Sequence, residues 1–211
     1  MPFPSGSAPD VVSRWLSPKL YERLGQPFLV EDRPGAGSVI GVDAVVRSIP
    51  DGYTLLMGAT VAMAINVTLH KSLPYDPTTD LIPLAFVGRG PFVLVVAPSL
   101  PVNSVRELIG LAKAKPGQLS FGSTGPGTPG HLYGELLNNV AGIQMTHVPY
   151  TGSGALNDVV AGHIPLMFAD VAPAIAMIGA RKLRPLAVTS KSRLFALPNV
   201  PSMDEAGVPE F

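Results

Sequence analysis

The chain has 211 residues, 15 Lys+Arg against 15 Asp+Glu, no cysteine and a pI near 6.9. A zero charge balance argues against an electrostatic nucleic-acid binder, which needs a basic face, and the lack of cysteine excludes disulfides, thiolate zinc sites and cysteine nucleophiles. The most apolar stretch, residues 82–98, is cut by Arg89 and several prolines, so no membrane-spanning helix is expected.

Charged residues make up 14% of the chain, against about 25% in ordinary domains. The 22 glycines and 23 prolines are spread along the sequence, so they read as many turns rather than one disordered tail. The opening Met1-Pro2-Phe3-Pro4-Ser5-Gly6 has neither a basic nor an apolar leader region, and no signal peptide is read in it.

Val11, Val12, Trp15, Leu16, Leu20 and Leu24 recur at helical spacing up to Gly25, with Pro18 expected to kink or split the helix. Trp15 is assigned to packing. Residues 28–30, 53–57, 84–87 and 92–97 read as strands, and helices are expected at 39–48 and 62–69. Pro98-Ser99-Leu100-Pro101 marks a break, after which the rhythm restarts. Ser104 with Glu107 forms a capping box opening a helix to about residue 113. Strands at 119–122, 145–148, 166–168 and 183–189 then alternate with helices at 129–140, 155–161 and 172–178. Apolar strands alternating with helices predict parallel sheets covered on both faces. The expected architecture is two α/β lobes, residues 1–98 and 99–211. In such sheets ligands bind outside the carboxyl ends of the strands, here the loops at 4–8, 58–60, 123–128, 149–154 and 169–173.

Gly125-Pro126-Gly127-Thr128-Pro129-Gly130 matches G-x-G-x-x-G. A dinucleotide site is disfavoured: Pro126 and Pro129 delete amide donors, and no acidic residue follows the next strand to hold a ribose. What survives is an anion cradle. Ser123, Thr124, Gly125, Gly127 and Thr128 offer hydroxyls and amides at a helix start, suited to a carboxylate as well as a phosphate, with Thr128 as N-cap. Pro4, Ser5, Gly6, Ser7, Ala8 and Asp10 form a second such loop; the bland alternative is a helix cap at Ser7. A third glycine loop, residues 35–41, is read as structural, permitting close helix–strand approach. Thr60, Tyr150 and Asp170 fall at the functional edge, Asp170 either binding a ligand group or capping the helix after it.

Catalytic signals are thin. His70, His131, His147 and His163 lack metal-ligand spacing, and no metal or cofactor is expected. Ser123 beside His131 could form a nucleophile and base, but a serine in a glycine cradle more often binds ligand. His131, in a first helical turn, more often caps or packs.

Residues 22–37, the runs Pro50-Asp51-Gly52-Tyr53-Thr54-Leu55-Leu56, Leu73-Pro74-Tyr75-Asp76-Pro77, His147-Val148-Pro149-Tyr150 with Gly152-Ser153, Leu186-Ala187-Val188-Thr189-Ser190 and Leu197-Pro198-Asn199-Val200-Pro201 through Glu205-Ala206-Gly207 appear in order. As a set they resemble the solute-binding proteins of the tripartite tricarboxylate transporter family, also called Bug or TctC-like. The resemblance implies a type II periplasmic-binding-protein fold, two α/β lobes clamping a small organic acid for a membrane permease in the periplasm. It places the carboxylate on Pro4 to Asp10 and Ser123 to Thr128, the two cradles found independently above. It also implies a strand before Met1 and further segments after Phe211, so the first lobe is expected to be incomplete.

The resulting expectation is a non-enzymatic receptor closing by a hinge. The alternatives are an enzyme on the same architecture, using Asp10, Asp170 or His131, and a ligand sensor that signals to a partner protein.

Overall fold

A computed structural model describes residues 1–151, 154–209 and 211, arranged as two compact units, Met1–Gly88 and Arg89–Phe211. Gly152 and Ser153, part of the 149–154 loop and of the family-like motif, lie outside the described residues.

The second unit is built on five strands: β1 (Phe92–Val96), β2 (Ser120–Ser123), β3 (Thr146–Pro149), β4 (Leu166–Asp170) and β5 (Arg184–Val188), in the order β3-β2-β4-β1-β5. The sheet is mixed, not parallel. β2 runs parallel to β3 and β4, whereas β1 is antiparallel to both β4 and β5. Uninterrupted apolar runs report burial on both faces, not strand direction, and this is why the sequence misread β1. Residues 92–97, expected in the first lobe, lie in the interior of this sheet. The Pro98–Pro101 break is the turn leaving β1. Arg184 on β5 fastens it by donating to the carbonyls of Leu100 (3.0 Å) and Val102 (2.8 Å).

Alternate residues of each strand feed two apolar layers. Leu94, Val96, Phe121, Leu166, Phe168 and Leu186 pack with Leu108 of α4 (Val105–Ala114) and Leu137 of α5 (Pro129–Ala141). Val93, Val95, Met167, Ala169 and Val188 pack with Ala155 and Val159 of α6 (Gly154–Ala161) and Ala174 of α7 (Val171–Gly179). The period-two orientation of strand side chains produces this division. The predicted capping box is present: Ser104 Oγ accepts from the Glu107 amide (3.1 Å) and Glu107 accepts from the Asn103 amide (2.7 Å).

The first unit contains α1 (Ala8–Leu24), α2 (Val39–Val46) and a short run ending in α3 (Asn66–Leu69). Its core is Val42, Val61, Ala62 and Tyr75. Residues 28–30, 53–57 and 84–87, predicted as strands, form no ladder among the described residues, because a strand exists only through a hydrogen-bonded neighbour. Pro18 does not split α1, which continues to Gly25 in a left-handed cap. Of the apolar stripe of α1, Val12, Leu16 and Leu20 are half-buried while Val11, Trp15 and Leu24 are exposed; Trp15 has Lys19 Nζ 4.7 Å from its ring centre, so its assignment to packing is corrected. The 35–41 loop is structural, as expected. A Cβ on Gly41 would sit 2.6 Å from Pro2 Cα and 2.7 Å from the Arg33 carbonyl, and buried Asn66 donates to the Gly37 carbonyl at 2.8 Å.

Candidate functional site

In the first unit, Pro4, Ser5, Gly6 and Ser7 turn the chain into α1. Gly6 has φ 80°, and the Ser7 amide donates to the Pro4 carbonyl at 3.2 Å. Ser7 occupies the N-cap position without a side-chain cap bond, and its Oγ is buried and unpartnered among the described residues. Ala8 starts the helix and Pro9 follows, so the Ala8 and Asp10 amides have no partner among the described residues.

Asp10 does not offer its carboxylate to this loop's exterior. One oxygen accepts from the Gly6 amide (2.8 Å) and Ser5 Oγ (3.4 Å), and the other lies 2.6 Å from Arg14 Nε. The Gly6 hydrogen bond, helped by Arg14, holds the Asp10 pKa below the ordinary value against the opposing effect of burial. Asp10 is therefore the post around which the loop is wound. Thr60, on the 58–60 loop, is exposed at the start of the Val61–Ile65 turn, without a side-chain cap bond.

In the second unit, the 123–128 loop joins β2 to α5. Ser123 is fully buried, and its hydroxyl is enclosed by protein. It accepts from the Gly125 amide (3.1 Å), lies 3.0 Å from the Gly125 carbonyl, and lies 2.7 Å from His147 Nε2. Thr128 Oγ1 donates to the Gly125 carbonyl (2.7 Å), so Thr128 holds the N-cap position without a side-chain cap bond. The Gly127 amide donates to His131 Nδ1 (3.0 Å). Gly125 (φ 135°) and Gly127 (φ 74°) hold backbone conformations that favour glycine. The hydroxyls predicted to bind ligand thus shape the loop. The amides of Thr124, Gly130 and His131 are unpartnered among the described residues; Thr124 is exposed, His131 half-buried and Gly130 buried.

The structure also shows what residue spacing missed. The base beside Ser123 is His147, not His131. In the β2–β3 register Phe121 lies opposite His147, so residues 121, 123 and 147 share one sheet face. The His131 and His147 rings stack at 3.9 Å, and Phe121 lies 5.1 Å from His147. Burial first, then the neighbouring His131, lowers the His147 pKa; Glu135 opposes them. Pairing the two strands on paper would have found this cluster; linear motif spacing does not contain it. Tyr150 is tied by its hydroxyl to Asp158 (2.5 Å), which raises the tyrosine pKa and lowers that of the carboxylate. Asp170 ends β4 at the N-cap position of α7 without capping it; burial raises its pKa, and its carboxyl has no hydrogen-bond partner among the described residues. Among the described residues no group of three His, Asp or Glu could hold a metal ion.

Each unit therefore presents backbone amides at a helix start, held in place by buried side chains. Unpartnered amides at a helix start are suited to an anion. Residues 12–211 match the Tripartite tricarboxylate transporter family receptor. The chain belongs to this family. It is 40% identical to Protein BugT of Bordetella pertussis over 213 residues, covering all of this chain and 65% of BugT. Among solved structures, R. palustris Rpa4515 with adipate is 36% identical with a TM-score of 0.95, covering 100% of this chain and 71% of that one. MatC (Rpa3494) from Rhodopseudomonas palustris with bound malate is 28% identical with a TM-score of 0.90, covering 99% and 71%. The chain thus spans about two thirds of the length of the family members it matches. No helix among the described residues is long and apolar enough to cross a membrane.

Proposed function

We propose that this chain forms the carboxylate-capturing part of a periplasmic receptor that delivers a small organic acid to a tripartite tricarboxylate-type permease. The observation that carries the proposal is the pair of loops, residues 4–10 and 123–128, each internally braced by its own hydrogen bonds and each leaving an amide, Ala8 in one and Thr124 in the other, without a partner among the described residues. Family membership and the adipate- and malate-bound relatives support the same ligand class. Ligand carboxylate exchanges water for the unpartnered amide of Ala8 in the first unit or of Thr124 in the second. Asp170 and Tyr150 tune selectivity: a desolvated carboxyl at the sheet edge disfavours a second negative group beside it unless it is protonated. The receptor changes no covalent bond.

The test is calorimetric titration of the chain with adipate, malate and a panel of mono-, di- and tricarboxylates, amino acids and aromatic acids. Thr124→Pro, which deletes one outward amide, is expected to weaken binding at least tenfold while preserving a cooperative melt, and Thr124→Val is expected to bind as wild type. Equal affinity of the proline variant would exclude the amide cradle, and turnover of any bound acid would exclude a pure receptor.

A further inference from the structure

The strongest unassigned feature is the histidine pair beneath the 123–128 loop. A backbone amide can only donate, so His131 Nδ1, 3.0 Å from the Gly127 nitrogen, must be an unprotonated acceptor. The ring proton then sits on Nε2, which faces Glu135 Oε1 at 3.9 Å. His131 is stacked on His147 and its side chain is 22% exposed, so the ring has little freedom to turn away.

We propose that His131 is a positioning residue for the ligand loop: its neutral imidazole holds the Gly127 amide, and its protonation releases that amide and weakens carboxylate capture. This rests on the receptor function proposed above.

Protonation places an N–H on Nδ1 directly against the Gly127 N–H. Two donors 3.0 Å apart repel, and the glycine at φ 74° is the freer side of the contact. The titratable groups facing His131 are Glu135 on its own helix and His147 from β3; β2 contributes Phe121 and Ser123, which do not titrate between pH 6 and 8. Burial lowers the pKa of His147, which favours the neutral form of that ring. A competing expectation has the opposite sign, because an imidazolium near the cradle attracts a carboxylate. The geometry decides against it: the added proton occupies the atom that orients the loop.

Two measurements test the proposal. Long-range ¹H–¹⁵N spectra of the ligand-free protein should show His131 as the Nε2–H tautomer, with the Gly127 amide shift moving at the same midpoint as the imidazole. An Nδ1–H tautomer, or a Gly127 shift independent of that midpoint, overturns the proposal without any ligand. Calorimetry with adipate and malate, with the ligands' own protonation subtracted, should show affinity falling across the pH interval in which the spectra show His131 to gain its second proton. In His131→Gln the fall should disappear. Constant or tighter binding in acid, or the same fall in His131→Gln, overturns it. If neither acid binds at any pH, the proposed ligand class fails for these probes, while the tautomer and the Gly127 shift still decide whether His131 positions the loop.

Discussion

Gly134 and Gly110 both sit in helices, yet replacing each with alanine should have opposite effects. Alanine in a helix interior is ordinarily more stable than glycine by about 1 kcal/mol. At Gly110, on α4, an added methyl meets nothing within 4 Å, so the ordinary gain of about 0.5–1 kcal/mol is expected. At Gly134, on α5, the methyl would lie 2.1, 2.4 and 2.5 Å from three carbons of the Phe121 ring, where contact needs about 3.5–4.0 Å. Phe121 is wholly buried and bordered by the rings of His147 and His131. It must move by more than an ångström, and overpacking of this kind costs about 1–3 kcal/mol. With an overlap this deep we take the upper value, leaving a net loss near ~2 kcal/mol after the helix gain. For a chain of this size that lowers Tm by roughly 4–8 °C. Thermal melts followed by circular dichroism at pH 7.5 read both variants. Gly134→Ala with Phe121→Leu should recover part of the loss, because the ring that clashes is gone. A Gly134→Ala protein melting at or above wild type would refute the packing argument.

Three further outcomes are expected. Ser104→Ala removes the hydroxyl that accepts the Glu107 amide and should cost about 1 kcal/mol in denaturant unfolding. The folded-state pKa of His147 lies below its ordinary value, so the unfolded chain binds more protons in the interval between them. Its contribution is present in full above about pH 6.5 and is lost as pH falls through the folded value; His147→Gln should flatten that limb of the Tm-against-pH curve. Asp170 carries the opposite shift, raised by burial, so its ionisation opposes folding above its ordinary pKa. Asp170→Asn should raise Tm at pH 7.5, with the gain shrinking toward pH 4; a lower Tm throughout would mean that the carboxylate has a stabilising partner.

Much of the second unit was legible in the sequence, because its local signals agree with its packing. Ser104 and Glu107 cap α4, Thr128 and Pro129 open α5, and Gly142 closes it in a left-handed conformation. Strand direction was not legible. Val93, Val95 and Val96 carry the same information whether their neighbours run parallel or antiparallel, and only the path of the chain distinguishes the two. In the first unit, residues 28–30, 53–57 and 84–87 have strand-like composition but no ladder among the described residues. Leu29, Tyr53, Leu84 and Phe86 are each at least three-quarters exposed. Composition states what a segment would do with a partner and does not supply one.

The same distinction explains the site. The sequence located both loops because glycines and small hydroxyls before a helix are visible in one dimension. It assigned the hydroxyls to the ligand because they are the chemically conspicuous groups. In three dimensions a hydroxyl in such a loop has closer claims on it: Ser123 is enclosed by Gly125 and His147, Thr128 by Gly125, and Ser5 leans on Asp10. The same internal bonds take up the amides of Gly6, Ser7, Gly125 and Gly127, and leave the Ala8 and Thr124 amides as donors without a partner among the described residues. A cradle of that kind reads the charge and shape of a carboxylate group while making few demands on the rest of the molecule.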